Sequence, residues 1–335
     1  MSRQPMAVHL VSRPVGRPSA DNFTFVADQL APLTPGNALV ENIYLSVDPY
    51  MREAMDEGEW ELNAALEGRS IGRVIESRTP ELSVGDIVFH RKAWRTHAVV
   101  DAAEVRVLRP IEGVPLSTHL SLLGGTGLSA YVGLTKVLRL QPGESIFISA
   151  AAGGVGSAAG QIAQLLGASR IIGSAGSAAK VKHLTERAGF SAAFDYHDGP
   201  VGELLRAAAP EGIDTFLDNV GGDHLEGALD VLRDHGRIAW CGAVAQYSSL
   251  EPPAAPRNLY NVVHKSLRMD GFLVREYRDV QQELTDFLAP HIRSGRVRAD
   301  ETVVTGFENV VTAFLGMLDG ANIGKMIVQV GDADS

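Results

Sequence analysis

The chain has 335 residues, more than a single hydrophobic core usually organises, so its length predicts two domains of unequal size. Hydrophobic residues make up 45% of the chain and charged residues 21%, which matches soluble globular proteins and excludes disordered and fibrous classes. The formal net charge of -10 and the lack of a basic run argue against nucleic acid as a partner, because that binding depends on Lys and Arg contacts to phosphates.

The N-terminal part of the chain predicts a β-rich domain. Its first segment, Met1 to Pro14, has scattered basic residues but no apolar run of signal-peptide length, so we expect a cytoplasmic protein. From Ala38 to about Pro110, short alternating segments such as Ile71 to Ile75 are separated by turn residues, as at Ser83 to Asp86. This spacing is typical of short strands joined by turns.

Beyond Leu122 the chain alternates apolar runs with stretches of helical periodicity. The apolar runs are Ile146 to Ser149, Ser169 to Ile172, Ala192 to Phe194, Ile213 to Leu217 and Arg237 to Trp240. Such runs followed by helices predict a Rossmann-type, doubly wound parallel sheet. The uncharged run Ser145 to Ser169 is interrupted by glycines, so we expect a buried strand and helix there and no membrane association.

The last part of the chain is expected to return to the first domain. Val310 to Leu318 has its apolar residues on one helical face, and Lys325 to Val330 is typical of a strand. The predicted fold is α/β, with the parallel sheet inserted in a β-rich domain. We expect the β-rich domain over residues 1–122, completed by about 300–335, and the second domain over 123–299. The Pro-rich stretch Glu251 to Pro256 is expected to be a surface loop.

A glycine-rich segment between a predicted strand and a predicted helix indicates a dinucleotide site. In that fingerprint the first glycine makes a tight turn, the second admits a pyrophosphate, and the third lets helix and strand meet. These positions correspond here to Ala151, Gly153 and Gly156. Amides at the helix start would form an anion site, and the predicted cofactor residues of the turn are Gly153, Gly154, Val155 and Gly156. The alternative is a turn that serves packing alone.

The next strand favours NADPH over NADH. An NAD enzyme carries an acidic residue about 20 residues after the glycine motif, where it binds the adenosine ribose hydroxyls. Here Ile171 to Ser177 contains no acid but includes Ser174, and Lys180 follows. A ribose phosphate would therefore meet hydroxyl donors and a cation. The alternative for Lys180 is a solvated lysine on a helix surface.

Together these segments resemble the medium-chain dehydrogenase/reductase superfamily, and within it the zinc-free prostaglandin reductase and alkenal double-bond reductase branch. The resemblance spans nearly the whole chain. It is carried by Ser46 to Arg52, Ala151 to Gly156, Asp218 to Gly222, Cys241 to Ala243, Arg268 to Phe272 and Asn322 to Lys325. It implies a GroES-like domain around a central NADPH-binding domain, usually in a homodimer.

The resemblance also implies the remaining cofactor contacts. It assigns the 2′-phosphate of NADPH to Lys180 and Tyr196. It assigns the rest of the cofactor to Asn219, Cys241, Gly242, Tyr247, Phe272, Val274 and Asn322. Singly, several of these residues have plainer interpretations, such as a strand-end tyrosine, a turn-forming asparagine or a small core cysteine.

Catalysis by zinc is not expected from this sequence. Zinc alcohol dehydrogenases of the superfamily use Cys, His and Glu around the catalytic metal and a separate lobe of four cysteines. Here Cys241 is the only cysteine, and Asp48-Pro49-Tyr50 occupies the early segment that could carry a ligand. The histidines form no close ligand pair, so we predict a site without metal.

The resemblance implies hydride transfer to a small electrophilic carbonyl compound, with the activated double bond of an α,β-unsaturated aldehyde or ketone as the leading target, as in 2-alkenal and 15-oxoprostaglandin 13-reductases. Charge that develops on the carbonyl oxygen needs a donor. Tyr50 is the leading catalytic candidate, although a core tyrosine is the alternative. His264 stands where relatives often carry a tyrosine, and Tyr260 could substitute. There are two alternative functions. The first is a quinone reductase, and the second is a non-catalytic NADPH-binding protein that acts as a sensor or structural protein.

Overall fold

The computed structural model of the protein describes residues 4–56, 60–251 and 254–332. Pro252 and Pro253 of the predicted surface loop lie outside these described residues. The strands are β1 (Met6–Leu10), β2 (Phe23–Ala27), β3 (Asn37–Ser46), β4 (Ser70–Ser77), β5 (Ile87–His90), β6 (His97–Asp101), β7 (Arg106–Val107), β8 (Ser145–Ile148), β9 (Arg170–Ala175), β10 (Ala192–Asp195), β11 (Ile213–Asp218), β12 (Leu232–Trp240), β13 (Arg268–Gly271), β14 (Glu301–Thr305) and β15 (Lys325–Gln329). The α-helices are α1 (Met51–Ala54), α2 (Gly125–Val132), α3 (Gly154–Leu165), α4 (Ala178–Glu186), α5 (Val201–Ala208), α6 (Gly222–Val231), α7 (Asn261–His264), α8 (Gln281–Arg293) and α9 (Val310–Leu318).

These residues form two compact units. Unit 1 is drawn from Met1–Leu120, Thr302–Asn322 and Met326–Ser335, and unit 2 from Ser121–Glu301 and Ile323–Lys325. The chain therefore begins unit 1, builds most of unit 2, and then returns to unit 1. This arrangement confirms the predicted fold class, a parallel α/β sheet inserted in a β-rich domain.

Unit 1 is organised around the long strand β3. This strand pairs antiparallel with β4 along one edge, while its other edge is shared by β6 near Ala38 and by β15 near Ser46. Helix α9 packs its apolar face on the same core, where the Phe314 ring meets the buried Trp94 ring edge-on at 5.5 Å. Aromatic pairs of this geometry contribute about 1 kcal/mol beyond their buried area. The C-terminal tail thus supplies both a strand and a helix to unit 1.

Unit 2 contains a parallel sheet of six strands in the order β10-β9-β8-β11-β12-β13. Counted from its first strand, this is the 3-2-1-4-5-6 order of dinucleotide-binding folds. The predicted apolar runs become strands because helices cover both faces of such a sheet, and all four residues of β8 are buried. The order reverses between β8 and β11, and ligands of these sheets bind beyond the strand ends at that point.

The uncharged run Ser145 to Ser169 forms β8 and α3, as expected from its glycines. Within the described ranges, no helix combines the length and the apolar character needed to span a membrane.

Candidate functional site

The glycine-rich turn joins β8 to α3 at the reversal point of the unit 2 sheet. Ala150 has a φ of +48°, a left-handed conformation that is uncommon for a residue with a side chain, and Gly153 is the residue before the helix. A Cβ atom on Gly156 would lie 2.4 Å from the Ala150 carbonyl oxygen, so the helix approaches the turn this closely only with glycine. The first-turn N–H groups, including those of Gly154 and Val155, have no helical partner four residues back. They form the positive end of the helix, which suits a phosphate.

The ends of β9 and β10 carry the residues predicted to meet the ribose phosphate. The Ser174 carbonyl accepts a hydrogen bond from the Ala151 N–H at 2.8 Å, so this strand end lies beside the glycine turn. The Ser174 hydroxyl is buried and has no hydrogen-bond partner among the described residues. Lys180 lies in the first turn of α4, where its N–H donates to the Ser177 hydroxyl at 3.3 Å. Burial lowers the pKa of the Lys180 ammonium.

Tyr196 follows β10 directly and lies beside the end of β9. Its N–H donates to the Ala175 carbonyl at 3.1 Å, and its side chain is partly exposed. Burial and the neighbouring Asp195 carboxylate raise the pKa of the Tyr196 phenol, so it stays protonated and able to donate at neutral pH. Two of the three residues thus lie at the carboxyl ends of neighbouring strands, Ser174 on β9 and Tyr196 just after β10. Lys180 lies on α4, the helix that joins those strands.

A buried polar network at the reversal point was not predicted from the sequence. Asp218, at the end of β11, accepts hydrogen bonds through Oδ1 from the Ser149 hydroxyl at 2.9 Å and from the N–H groups of Val220 and Gly221 at 2.9 and 3.0 Å. The Asn219 Nδ2 donates to the Ser149 carbonyl at 2.8 Å. Burial raises the pKa of the Asp218 carboxyl. The network joins the ends of β8 and β11 and holds Asn219, one of the predicted cofactor residues, in place.

The loop after β12 folds onto the same network. The Cys241 N–H donates to the Asp218 carbonyl at 2.8 Å, and the Ala243 N–H donates to the Tyr247 hydroxyl at 3.3 Å. A Cβ on Gly242 would lie 3.2 Å from that hydroxyl, so the Tyr247 ring closes over the glycine. Burial raises the pKa of the Cys241 thiol to about 12, which keeps it protonated and unreactive. The structure thus brings together the predicted residues of this loop and Asn219.

The predicted residues after β13 extend this row of strand ends. The Phe272 N–H donates to the Trp240 carbonyl at 3.4 Å. A Cβ on Gly133, which belongs to a π-helical turn after α2, would lie 3.3 Å from the Phe272 ring. Val274 begins the 3-10 segment Val274–Val280 that follows. Phe272 and Val274 are therefore placed by the edge strand of the sheet rather than by the glycine turn.

A short piece of the C-terminal tail lies against the glycine turn within unit 2. The Gly324 N–H donates to the Ala152 carbonyl at 2.8 Å, and Gly324 forms an isolated parallel bridge with Gly153. Gly324 has a φ of +69°, and a Cβ there would lie 1.8 Å from the Asp300 carbonyl oxygen, so no side chain fits. Asn322, the predicted cofactor residue just before this piece, is buried and belongs to unit 1. The contact of Gly324 was not predicted from the sequence.

Tyr50, the leading catalytic candidate, lies in unit 1 just after β3. The Ser46 hydroxyl donates to Asp48 at 2.6 Å, Arg69 pairs with the same carboxylate at 3.4 Å, and the Arg69 guanidinium lies 5.5 Å from the centre of the Tyr50 ring. The Tyr50 hydroxyl is buried and has no partner of hydrogen-bonding geometry among the described residues. Burial and Asp48 raise the pKa of Tyr50, against the opposing effect of Arg69 and Arg91. Tyr50 is therefore a protonated phenol with an unused donor.

His264, the second catalytic candidate, lies at the end of α7 in unit 2 and is exposed. Its ring meets that of Tyr260 edge-on, with centroids 4.7 Å apart, and 66% of Tyr260 is exposed. The two candidates of this segment therefore contact each other at the surface of their unit.

The described residues contain no group of three or more His, Cys, Asp or Glu side chains arranged to hold a metal ion. Catalysis without a metal ion stays a prediction, because it concerns the reaction and has to be tested by assay.

Comparison with known proteins agrees with the fold. Residues 6–108 match the family described as the N-terminal domain of oxidoreductase, and residues 154–289 match the family described as zinc-binding dehydrogenase. The chain is similar to prostaglandin reductase 1 of Rattus norvegicus, with 38% identity over 94% of this chain and 95% of the relative. It is also similar to 2-alkenal reductase (NADP(+)-dependent) of Nicotiana tabacum, with 36% identity over 88% of this chain and 87% of the relative.

Among solved structures, the chain is similar to CurA from Vibrio vulnificus in complex with NADPH, with a TM-score of 0.91 and 30% identity over 98% of this chain and 99% of that one. The sheet order and the glycine turn are those of a dinucleotide-binding fold, and the matched families and relatives show that the chain is an oxidoreductase. The chain belongs to the medium-chain dehydrogenase/reductase superfamily, in the branch of prostaglandin reductases and alkenal double-bond reductases. The resemblance inferred from the sequence is confirmed.

Proposed function

We propose that this protein is an NADPH-dependent, zinc-independent reductase whose target is the activated double bond of a small α,β-unsaturated aldehyde or ketone. The observation that carries the proposal is the glycine turn at the reversal point, next to the end of β9, which carries hydroxyls and no acid and is followed by Lys180 in α4. The relatives support it, because their names specify prostaglandin and 2-alkenal reduction and use of NADP(+), and CurA binds NADPH.

The residues present fit such a cofactor. The first-turn amides of α3 would hold the pyrophosphate, and Ser174, Lys180 and Tyr196 would hold the 2′-phosphate. The Ser174 hydroxyl, buried and without a hydrogen-bond partner in the described ranges, is consistent with a ligand at that strand end. In unit 2, the rest of the cofactor would lie along the residues grouped after β11, β12 and β13: Asn219, Cys241, Gly242, Tyr247, Phe272 and Val274. Asn322, in unit 1, stays a prediction from the family resemblance.

NADPH, when bound, supplies the hydride for the reduction. The protein must then stabilise negative charge on the carbonyl oxygen of the substrate and provide a proton. Tyr50 suits the first task, because its phenol stays protonated and its hydroxyl has no hydrogen-bond partner among the residues that the structure describes. A donor that is satisfied only when charge appears on the substrate stabilises the transition state more than the ground state. His264, exposed on α7, is the second proton donor we propose to test.

A panel of acceptors tests this function. Purified protein is assayed with NADPH and NADH against alkenals, enones and quinones, and the reduced product is identified by mass spectrometry. We expect NADPH to be preferred at least tenfold in kcat/KM, about 1.4 kcal/mol, and an alkenal or enone to be the best acceptor. Faster turnover of quinones would instead assign a quinone reductase, and NADPH binding without turnover of any acceptor would assign a non-catalytic protein.

We also propose a homodimer that forms through the outer edge of the unit 2 sheet. Strand β13 pairs only with β12 among the described strands, and its Arg268 and Met269 are exposed. Arg268 pairs with Asp270 of its own chain at 2.7 Å; in an antiparallel pairing of two copies centred on Met269 it would face the partner's Asp270 as well, so the edge is complementary to itself. Light scattering should report a dimer. The substitution Arg268→Asp should give monomers, and adding Asp270→Arg should restore the dimer; a wild-type monomer contradicts the proposal.

We also propose that the protein is located in the cytoplasm. The single cysteine forms no disulfide within the chain and has no need of an oxidising compartment. Cell fractionation with compartment markers tests it, and recovery of the protein in a secreted or membrane fraction would contradict it.

A further inference from the structure

The ring of Tyr196 lies directly on the backbone of Gly176. A Cβ atom built on Gly176 would be 2.8 Å from the Tyr196 hydroxyl oxygen and 3.1 Å from ring atoms Cε1 and Cζ. Both distances are shorter than ordinary van der Waals contact between a side chain and a ring. The ring therefore occupies space that any residue other than glycine would take with its own Cβ.

Two histidine rings contact Tyr196 as well. The His197 ring centroid is 4.2 Å from that of Tyr196, and the His224 ring meets the Tyr196 ring edge-on at 5.4 Å. His224 is only 5% exposed and lies parallel to the buried Phe147 ring at 6.4 Å. Burial lowers the pKa of His224 to about 4, so its ring is uncharged at neutral pH. It can pack against Tyr196 but cannot attract a phosphate by charge. Gly176 and the two rings together restrict where the tyrosine can lie.

We propose that Gly176 is a specificity-determining residue for the cofactor: it gives the Tyr196 ring a place on bare backbone and so positions the tyrosine hydroxyl for the 2′-phosphate that distinguishes NADPH from NADH. This inference rests on the proposed function, because it takes Tyr196 to be a ligand of that phosphate. Gly176 acts through Tyr196 and is a positioning residue.

The geometry of Gly176 makes the substitution by alanine informative. Gly176 is not among the glycines with a left-handed φ, so alanine is compatible with its backbone conformation. The added methyl group meets only the far end of the Tyr196 side chain among its nearest neighbours, and the ring can turn away from it. We therefore expect Gly176→Ala to fold normally and to displace the tyrosine hydroxyl.

A matched set of variants tests the proposal: Gly176→Ala, Tyr196→Phe, the double variant, and Gly199→Ala as control. Gly199 lies in the loop after β10, and the nearest atom to its added Cβ would be 4.0 Å away. Dissociation constants for NADPH and NADH are measured by fluorescence, and kcat and KM with the best acceptor. We expect Gly176→Ala to weaken NADPH binding about tenfold, as for loss of one charge-assisted hydrogen bond, with NADH binding and kcat unchanged.

The double variant decides whether the glycine acts through the tyrosine. Loss of the hydroxyl should abolish the effect of the methyl group, so the double variant should bind NADPH as Tyr196→Phe does. If Tyr196→Phe weakens NADPH binding while Gly176→Ala does not, the inference about Gly176 is wrong and the proposed phosphate site stands. If Tyr196→Phe leaves the NADPH to NADH ratio unchanged, the phosphate site itself is wrong and the inference is overturned with it. Equal weakening of both cofactors by Gly176→Ala also overturns it.

Discussion

Replacing Tyr50 by phenylalanine separates a catalytic hydroxyl from a structural one. The hydroxyl is buried and has no hydrogen-bond partner in the described part of the chain, and an unsatisfied buried polar group costs a folded protein about 1–3 kcal/mol. Its removal leaves the ring, and with it the contact to the Arg69 guanidinium, in place. We therefore expect Tyr50→Phe to be as stable as the wild type or more stable by about 1 kcal/mol. A tyrosine whose hydroxyl ties two segments together would instead lose stability on this change.

Activity should move in the opposite direction. Loss of one donor to a developing oxyanion commonly lowers kcat about a hundredfold, close to 2.7 kcal/mol. Because the hydrogen bond would form only as charge builds, kcat and kcat/KM should fall together while the dissociation constant of NADPH stays unchanged. Steady-state kinetics, fluorescence titration and urea unfolding measure the three quantities. Wild-type kcat in Tyr50→Phe, or a loss of stability above about 1 kcal/mol, would refute the assignment.

Four further outcomes are expected. Lys180→Ala should raise the KM for NADPH tenfold or more and leave that for NADH nearly unchanged, since only NADPH has the 2′-phosphate; equal effects would contradict this. Activity should survive exhaustive dialysis against a chelator, with no stoichiometric zinc by elemental analysis; activity restored only by added zinc would overturn it. Gly156→Ala should abolish NADPH binding, because its Cβ would lie 2.4 Å from the Ala150 carbonyl oxygen and the turn would have to shift. An unchanged dissociation constant for NADPH, measured by fluorescence, would contradict this prediction. Burial lowers the pKa of His90 to about 3 and that of His224 to about 4 from an ordinary 6.5, so their contribution to stability is complete above pH 6.5 and should be lost as the pH falls to about 4 for His224 and about 3 for His90. Urea unfolding across that range checks it, and His224→Phe should flatten the decline.

The fold could be predicted because its signals are local. A strand buried on both faces must be apolar along its length, and each such run in unit 2 became a strand of the sheet. The glycine turn could also be predicted from the sequence, because Gly153 and Gly156 have a fixed spacing and lie between a strand and a helix.

The unpredicted parts of the site depend on partners far apart in the chain. Asp218 and Ser149 each end an apolar strand, but only the sheet order places those two ends side by side. His224 lies on the amphipathic helix α6, and the sequence pattern of that helix does not distinguish a buried histidine from an exposed one. Its contact with Tyr196 could therefore not be predicted. A polar residue at the end of each central strand is the signal that would have found the network. The burial of the Tyr50 hydroxyl without a hydrogen-bond partner among the described residues is likewise a property of the assembled unit.

The bond between Gly324 and Ala152 has a consequence for how the protein is made. The glycine turn follows β8, the first strand of the unit 2 sheet, whereas Gly324, which satisfies the Ala152 carbonyl, is added only after all six strands of that sheet. Contacts between such distant segments close slowly and late in folding. During synthesis the parallel sheet can therefore form before its dinucleotide turn is complete. A nascent chain that stops short of Gly324 would have the six strands of the unit 2 sheet without the finished turn, so the turn would be ready for its cofactor only once Gly324 has been added.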